Sequence, residues 1–184
     1  MNSSFFSTEL STDQLILKPI QSFDRDFINL LFQDNEIQKY YIVPKESHQD
    51  YRKLVDYWQN DLKNGAGTCW IIYEKGGFFS KNKQCGFVAF EFRYSLKNAR
   101  ISYAIHPLFR EKRIATNAIK LIIDLLKRNG IQSVETDIDR NNLISEKIVD
   151  RLGFTTDKTT ALFDSEMMID GKVRFRFLWV KLLI

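Results

Sequence analysis

The chain has 184 residues, 44% of them hydrophobic and 27% charged, with a formal net charge of +4. That length supports about one domain with a sizeable core, and only 8 Gly and 3 Pro exclude a low-complexity or linker-dominated chain. The mild basic bias fits an acidic small ligand, a nucleic acid or a soluble surface, and selects none of them.

The first residues, MNSSFFSTELSTDQ, lack a basic segment followed by a long apolar run, so a secretory signal is not expected. No stretch reaches the roughly 18–20 apolar residues of a membrane span. Cys69 and Cys85 have no metal-ligand spacing and are expected as buried thiols in a reducing, cytoplasmic setting, with no metal.

Alternation of Leu15 and Leu17 with polar neighbours up to Pro19 predicts a first strand over 13–20. Ser22 or Asp24 then caps a predicted helix with Phe27, Leu30, Leu31 and Ile37 on one face. Tyr51, Leu54, Val55, Trp58 and Leu62 recur at helical spacing until Gly65, and these aromatics are expected in the core. Three strands follow, over 68–75, 85–93 and 99–106, joined by turn-rich segments. In the second, Phe87, Ala89 and Glu91 oppose Val88, Phe90 and Phe92; in the third, Ile101, Tyr103 and Ile105 oppose Arg100, Ser102 and Ala104.

Residues 114–128 predict a long helix with Ile114, Ala118, Ile119, Ile122, Leu125 and Leu126 on one stripe, ended by Asn129-Gly130. A strand over 133–139 alternates Val134, Thr136 and Ile138 against acids. Asn142 then caps a short helix with Ile144, Ile148, Val149 and Leu152 inside and Gly153 at its end. TTALF and KVRFRFLWVKLL, joined around Asp170-Gly171, are expected as closing antiparallel strands. This order predicts one α+β domain over 1–184, with a mixed, mostly antiparallel sheet flanked by helices and one crossover near its centre.

The segment between Ile105 and Ala115 carries the chemistry. A helix N-terminus presents unpaired backbone N–H groups and a partial positive charge, which attract phosphate. Here that terminus directly follows a strand and is flanked by Arg110, Lys112 and Arg113, which could act with it on a pyrophosphate. A charged loop without a ligand remains the alternative.

ISYAIHP followed by FREKRIATNAIK resembles motif A of the GNAT N-acetyltransferases, Arg/Gln-x-x-Gly-x-Gly/Ala. DRNNLISEKIVDRLGF resembles the next strand and helix of that fold. DQLILKP, DNEIQKYY and MIDGKVRFRFLW are similar to the branch that holds ribosomal-protein alanine acetyltransferases and spermidine acetyltransferases. The resemblance covers nearly the whole chain in order. It implies the acyl-CoA N-acyltransferase fold, acetyl-CoA as cosubstrate and a primary amine as acceptor: a protein N-terminus, a polyamine or another small amine. Carried over by position, Arg110, Ile114 and Ala115 match the phosphate loop, with Lys112, Arg113 and Thr116 beside them. The main chain at Ile105 would pair with the pantetheine arm, Asn142 would contact that arm, and Ser145 would lie near the sulfur.

Three positions depart from the family pattern. Arg113 stands where the loop Gly is usual, a position that gives close backbone approach or positive φ. Val149 fills the place of the Tyr that many members use to protonate the thiolate, which shifts that role to Ser145 or water. Arg100 replaces a Glu that is a candidate base or amine contact. Glu91 on the neighbouring strand is therefore the first candidate base, ahead of Asp137, Asp139, His48 and His106. Tyr103 and Arg100 are expected at the substrate cleft, and Arg100 there would disfavour a polyamine.

Two other readings stay open: a CoA-binding relative without transfer activity, motivated by Arg113, Arg100 and Val149, and a basic nucleic-acid module. No helix-turn-helix spacing or aromatic RNA-binding motif supports the latter, so neither nucleic acid nor membrane is expected as a partner. The chain could work as a monomer or homodimer.

Overall fold

In the computed structural model, residues 3–77, 80–92, 95–158, 161–163 and 174–183 are described. Eight strands form one sheet: β1 (Leu10–Ser11), β2 (Leu15–Pro19), β3 (Gly67–Glu74), β4 (Lys83–Phe92), β5 (Asn98–Ile105), β6 (Ser133–Asp139), β7 (Ala161–Phe163) and β8 (Phe175–Leu182). Their spatial order is β1-β2-β3-β4-β5-β6-β8-β7. Every pairing is antiparallel except β5 with β6, which the long helix α4 (Ile114–Arg128) connects as a crossover. The Asp170-Gly171 turn expected between the last two strands lies outside the described residues.

Alternation along the central strands divides the core into two layers, one on each face. Val88, Phe90, Ala99, Ile101, Val134 and Ile138 pack against the apolar stripe of α4 and against Val149 of α5 (Leu143–Arg151). Phe87, Ala89 and Ala104 pack on the opposite face against α1 (Arg25–Leu31), α2 (Asn35–Tyr40) and α3 (Lys53–Asn64). The stripe expected for α4 is buried throughout, and Asn129 and Gly130 (φ 79°) end it. Gly65 ends α3 with φ 67°. At the N-terminus, Phe5 and Phe6 reach the α4 side, where Phe6 stacks on Phe90 at 5.7 Å; the sequence pattern gave no sign of this.

Three expectations change. The predicted first helix is two helices, because the Asp34 carboxylate accepts from Ile37 N at 3.0 Å and starts α2 afresh. The buried face of α1 also differs from the expected one: Ile28, Leu31 and Phe32 are fully buried, whereas Leu30 is 54% exposed. Ile144 is 73% exposed rather than inside, since the first turn of α5 overhangs a cleft that Ile144 lines. The acids that alternate with Val134, Thr136 and Ile138 in β6 are buried as well. Glu135 and Asp139 are buried, and the Asp137 side chain is 1% exposed.

Candidate active site

The site begins with an interrupted sheet. Parallel pairing of β5 with β6 covers only Asn98–Arg100 against Ser133–Glu135. Beyond Arg100, β5 bonds to β4 alone and β6 to β8 alone, so their facing edges diverge. The divergence opens a cleft of about 970 Å³ through the sheet, lined by both edges, the first turns of α4 and α5, and parts of α2 and α3. An edge strand presents unpaired N–H and C=O groups, and an extended polar chain laid along it can bond to them.

The wide end of the cleft is capped by the start of α4. Arg113, Ile114, Ala115 and Thr116 line it, and the first-turn N–H groups of a helix have no intrahelical partner. The loop reaches this geometry through two residues in the left-handed region, Glu111 (φ 66°) and Arg113 (φ 59°). Left-handed and right-handed residues in succession turn backbone N–H groups inward as an anion-binding concavity. The loop cations divide their tasks. Arg110 donates to the Ile105 carbonyl (3.2 Å) and pairs with Asp34 (2.6 Å), tying the loop to α2. Lys112 pairs with Glu74 at 3.2 Å, its ammonium over the Phe109 ring, and does not line the cleft. Arg113 has no ion-pair partner among the described residues, so it is the loop cation left to face a ligand.

On the α4–α5 side of the sheet, Asn142 caps α5 by accepting from Ser145 N at 3.1 Å, and both residues line the cleft. Tyr103 projects to this side from β5. Its hydroxyl is buried beside the Ser145 side chain, and burial pushes its pKa up to about 12 against the opposing effect of the hydrogen bond between them. Tyr103 was expected with Arg100 at the substrate end, but the pleat separates them: alternate residues of β5 face opposite sides.

The α1–α3 side carries the charges. Arg100 reaches Asp137 across the divergence and lies 3.8 Å from Glu91, which faces it on β4. Tyr57 Oη lies 3.5 Å from the other Glu91 oxygen. Asp61, one turn beyond Tyr57 on α3, also lines the cleft, and burial followed by the Glu91 charge pushes its carboxyl up to about 6. Tyr41 donates to Ser102 Oγ at 2.8 Å. Arg176 donates to the carbonyls of Tyr40 and Asp137, with its pKa held down to about 10 by burial.

Of the residues singled out in the sequence, Arg100, Tyr103, Ile105, Arg110, Arg113, Ile114, Ala115, Thr116, Glu91, Asn142 and Ser145 converge on this one cleft. Asp137 and Asp139 line it too, but are committed to structure: Asp137 to Arg100, and Asp139 to Asn141 N (2.8 Å). His106 stands outside it, with Nδ1 accepting from Leu108 N, and His48 lies beside the Val43 carbonyl. Arg93, an alternative partner for Glu91, lies outside the described residues. Sequence reasoning missed Tyr57 and Asp61. Their i, i+4 spacing beside the buried stripe of α3 is a usable signal only once β4 is known to lie under that helix.

The same organisation occurs in known proteins. Residues 14–155 match the family model described as an acetyltransferase (GNAT) domain. No curated protein sequence matches the chain. Among solved structures it resembles RimL, a ribosomal L7/L12 alpha-N-protein acetyltransferase in complex with coenzyme A (18% identity, 95% of this chain and 98% of that one, TM-score 0.78). It also resembles the microcin C7 self-immunity acetyltransferase MccE in complex with acetyl-CoA and AMP (22%, 93% of each chain, 0.76). A third is spermidine N-acetyltransferase from Vibrio cholerae in complex with CoA and spermine (17%, 94% and 97%, 0.76). With a family model matched over most of its length and the sheet, crossover and cleft in place, the chain belongs to the GNAT acetyltransferase family.

Proposed function

We propose that the protein transfers the acetyl group of acetyl-CoA directly to a primary amine, the two substrates entering the cleft from opposite faces of the sheet. The observation that carries this reading is the end of β5–β6 pairing at Arg100/Glu135. It leaves an edge of about 17 Å from Arg100 to Ile105 (five residues at about 3.3 Å each), leading from the start of α4 to a closed end. The residues fit such a cosubstrate. N–H groups at Arg113–Thr116 suit a pyrophosphate, the β5 edge suits an amide-bearing arm, and Asn142, Ser145 and Tyr103 offer polar atoms along the α5 side.

The amine side is chemically distinct. Glu36, Asp61 and Glu91 line it together with Tyr40, Tyr57 and Trp58, a carboxylate and aromatic lining that favours an ammonium group. Arg100 does not repel such an acceptor as its charge alone would suggest, because Asp137 and Glu91 offset it. A typical amine is mostly protonated at neutral pH. Glu91 and Asp61 are placed to hold the ammonium and take its proton as nitrogen attacks the thioester carbon. Binding both reactants in register supplies much of the remaining acceleration. Relatives by fold include one named for a protein N-terminus and one holding spermine, which supports an amine acceptor; a cationic small amine or peptide N-terminus suits this lining best. The free, buried thiols Cys69 and Cys85 support work in a reducing cytoplasm, with residues 1–184 acting as one domain.

The test is thermal denaturation with acetyl-CoA, dephospho-CoA or no ligand, followed by thiol release across amines and N-terminal peptides. At about 100 times its dissociation constant, acetyl-CoA should add about 2.7 kcal/mol of stability. Absence of any shift at millimolar acetyl-CoA overturns the reading. Binding without thiol release from any amine leaves a CoA-binding protein instead.

A further inference from the structure

We propose, on the acetyl-transfer reading above, that the acceptor is a peptide N-terminus with an acidic residue a few positions on, whose carboxylate docks in a basic pocket beside the amine side of the cleft. The pocket has a volume of about 290 Å³ and lies where β6 stops and β8 begins, against the last turn of α2. Lys39, Arg140 and Arg174 line it with Tyr40, Asn141 and Phe175, so among the described residues three cations and no carboxylate line it. Tyr40 and Asn141 line the cleft as well, and the two spaces share them as a wall. That wall is fixed: the Tyr40 hydroxyl donates to the Asn141 carbonyl at 3.3 Å, and Arg176 donates to the Tyr40 carbonyl.

The charge at this corner is in excess. Arg174 stands 3.8 Å from Asp139, and Lys39 meets Glu36 only at 3.9 Å and at the surface. Arg176 also feels the Asp139 charge. Arg140 has no ion-pair partner among the described residues, and its guanidinium lies over the Phe175 ring at 4.8 Å. Lys39, Arg140, Arg174 and Arg176 thus outnumber Glu36 and Asp139 beside them. A guanidinium supported by a ring keeps N–H donors for a carboxylate, which it binds in bidentate fashion.

Distance selects a peptide over a small amine. The ammonium is held at Glu91, which pairs with Arg100 at the closed end of the β5–β6 opening. From Glu135, the β6 partner of Arg100, to Arg140 is a step of five residues, about 17 Å at about 3.3 Å each. An extended peptide advances about 3.3–3.6 Å per residue, and the two facing side chains cover the remainder. An acidic side chain at the third to fifth residue therefore reaches the pocket while the α-amine is at the thioester. A free amino acid, with its carboxylate one carbon from its amine, is too short to satisfy both ends.

The test is acetyl-CoA-dependent thiol release with C-terminally amidated heptapeptides carrying Asp, Asn or Lys at the third, fourth or fifth residue. At the best position wild type should prefer Asp to Asn about three- to tenfold in kcat/KM, carried by KM, with Lys below Asn. The preference should shrink toward one at about 0.5 M salt. Combining Lys39→Ala with Arg140→Ala should bring the Asp/Asn ratio to about one, and Arg140→Glu should favour Lys. Each ratio is taken on one protein sample, so a loss of folded enzyme does not alter it. Equal wild-type rates on all three residues at every position overturn the proposal, as does a preference that the double variant retains. Transfer to small amines but to no peptide overturns it too and leaves the acetyltransferase reading intact. Failure to bind acetyl-CoA at all overturns both.

Discussion

Replacing Arg113 by Gly separates the two things this residue does. Its backbone sits at φ 59°, ψ 14°, immediately before the first turn of α4. A side chain there costs about 1–2 kcal/mol per left-handed residue, and the greater freedom of Gly in the unfolded chain offsets about 0.4–1 kcal/mol of the relief. The net expectation is about 1 kcal/mol in favour of Gly, or about 2–4 °C in Tm for a chain of this size. The guanidinium is solvent-exposed beside the helix N-terminus, so its loss should weaken acetyl-CoA binding only about two- to five-fold, the range of an exposed ion pair. Arg113→Ala is the matched control, since it removes the charge and keeps the strained backbone. Thermal melts and calorimetric titration of both variants should show equal losses of affinity, with a raised Tm for Gly alone. If Gly binds acetyl-CoA more tightly than wild type, the side chain crowds the loop and the phosphate role is wrong. If Gly and Ala melt together, the left-handed strain is absent.

Arg100→Ala should destabilise the protein by about 3–5 kcal/mol in urea denaturation, because it strands the buried Asp137 carboxylate; the double variant Arg100→Met/Asp137→Leu should recover much of this, and a single variant within 1 kcal/mol of wild type (well below the estimated cost) would refute the pairing. Asp61→Asn should stabilise the fold in a pH-dependent way. The carboxyl, raised to about 6 in the folded state, is harder to ionise there than in the unfolded chain. Its charge thus costs nothing below pH about 4, costs progressively more up to about 6, and a constant amount above that. The gain in Tm should follow that window, and acetyl transfer should lose an inflection near pH 6; a gain independent of pH would contradict the assignment.

What could be read without coordinates was whatever depends on local periodicity. Helix α4 follows from its apolar stripe and from Asn129-Gly130, and the opposed faces of β4 and β5 from strict alternation. The ordered motifs from Leu15 to Phe154 carried the family. Local pattern failed where a side chain competed with the backbone, as Asp34 does in dividing the first helix. It was silent where burial came from remote elements, as for the acids of β6, against which Arg100 and Arg176 are brought from other strands.

The sequence by itself determined that a helix N-terminus follows β5 with cations beside it, because both are fixed by neighbours in the chain. Only the tertiary structure decided what those cations do. Arg110 and Lys112 are bound to Asp34 and Glu74, 76 and 38 residues away in the chain, and of the three only Arg113 has no ion-pair partner among the described residues. It likewise decided where the sheet opens: alternation already sets Tyr103 and Arg100 on opposite faces of β5, but the early end of β5–β6 pairing, which makes the cleft between them, depends on strands far apart in the chain.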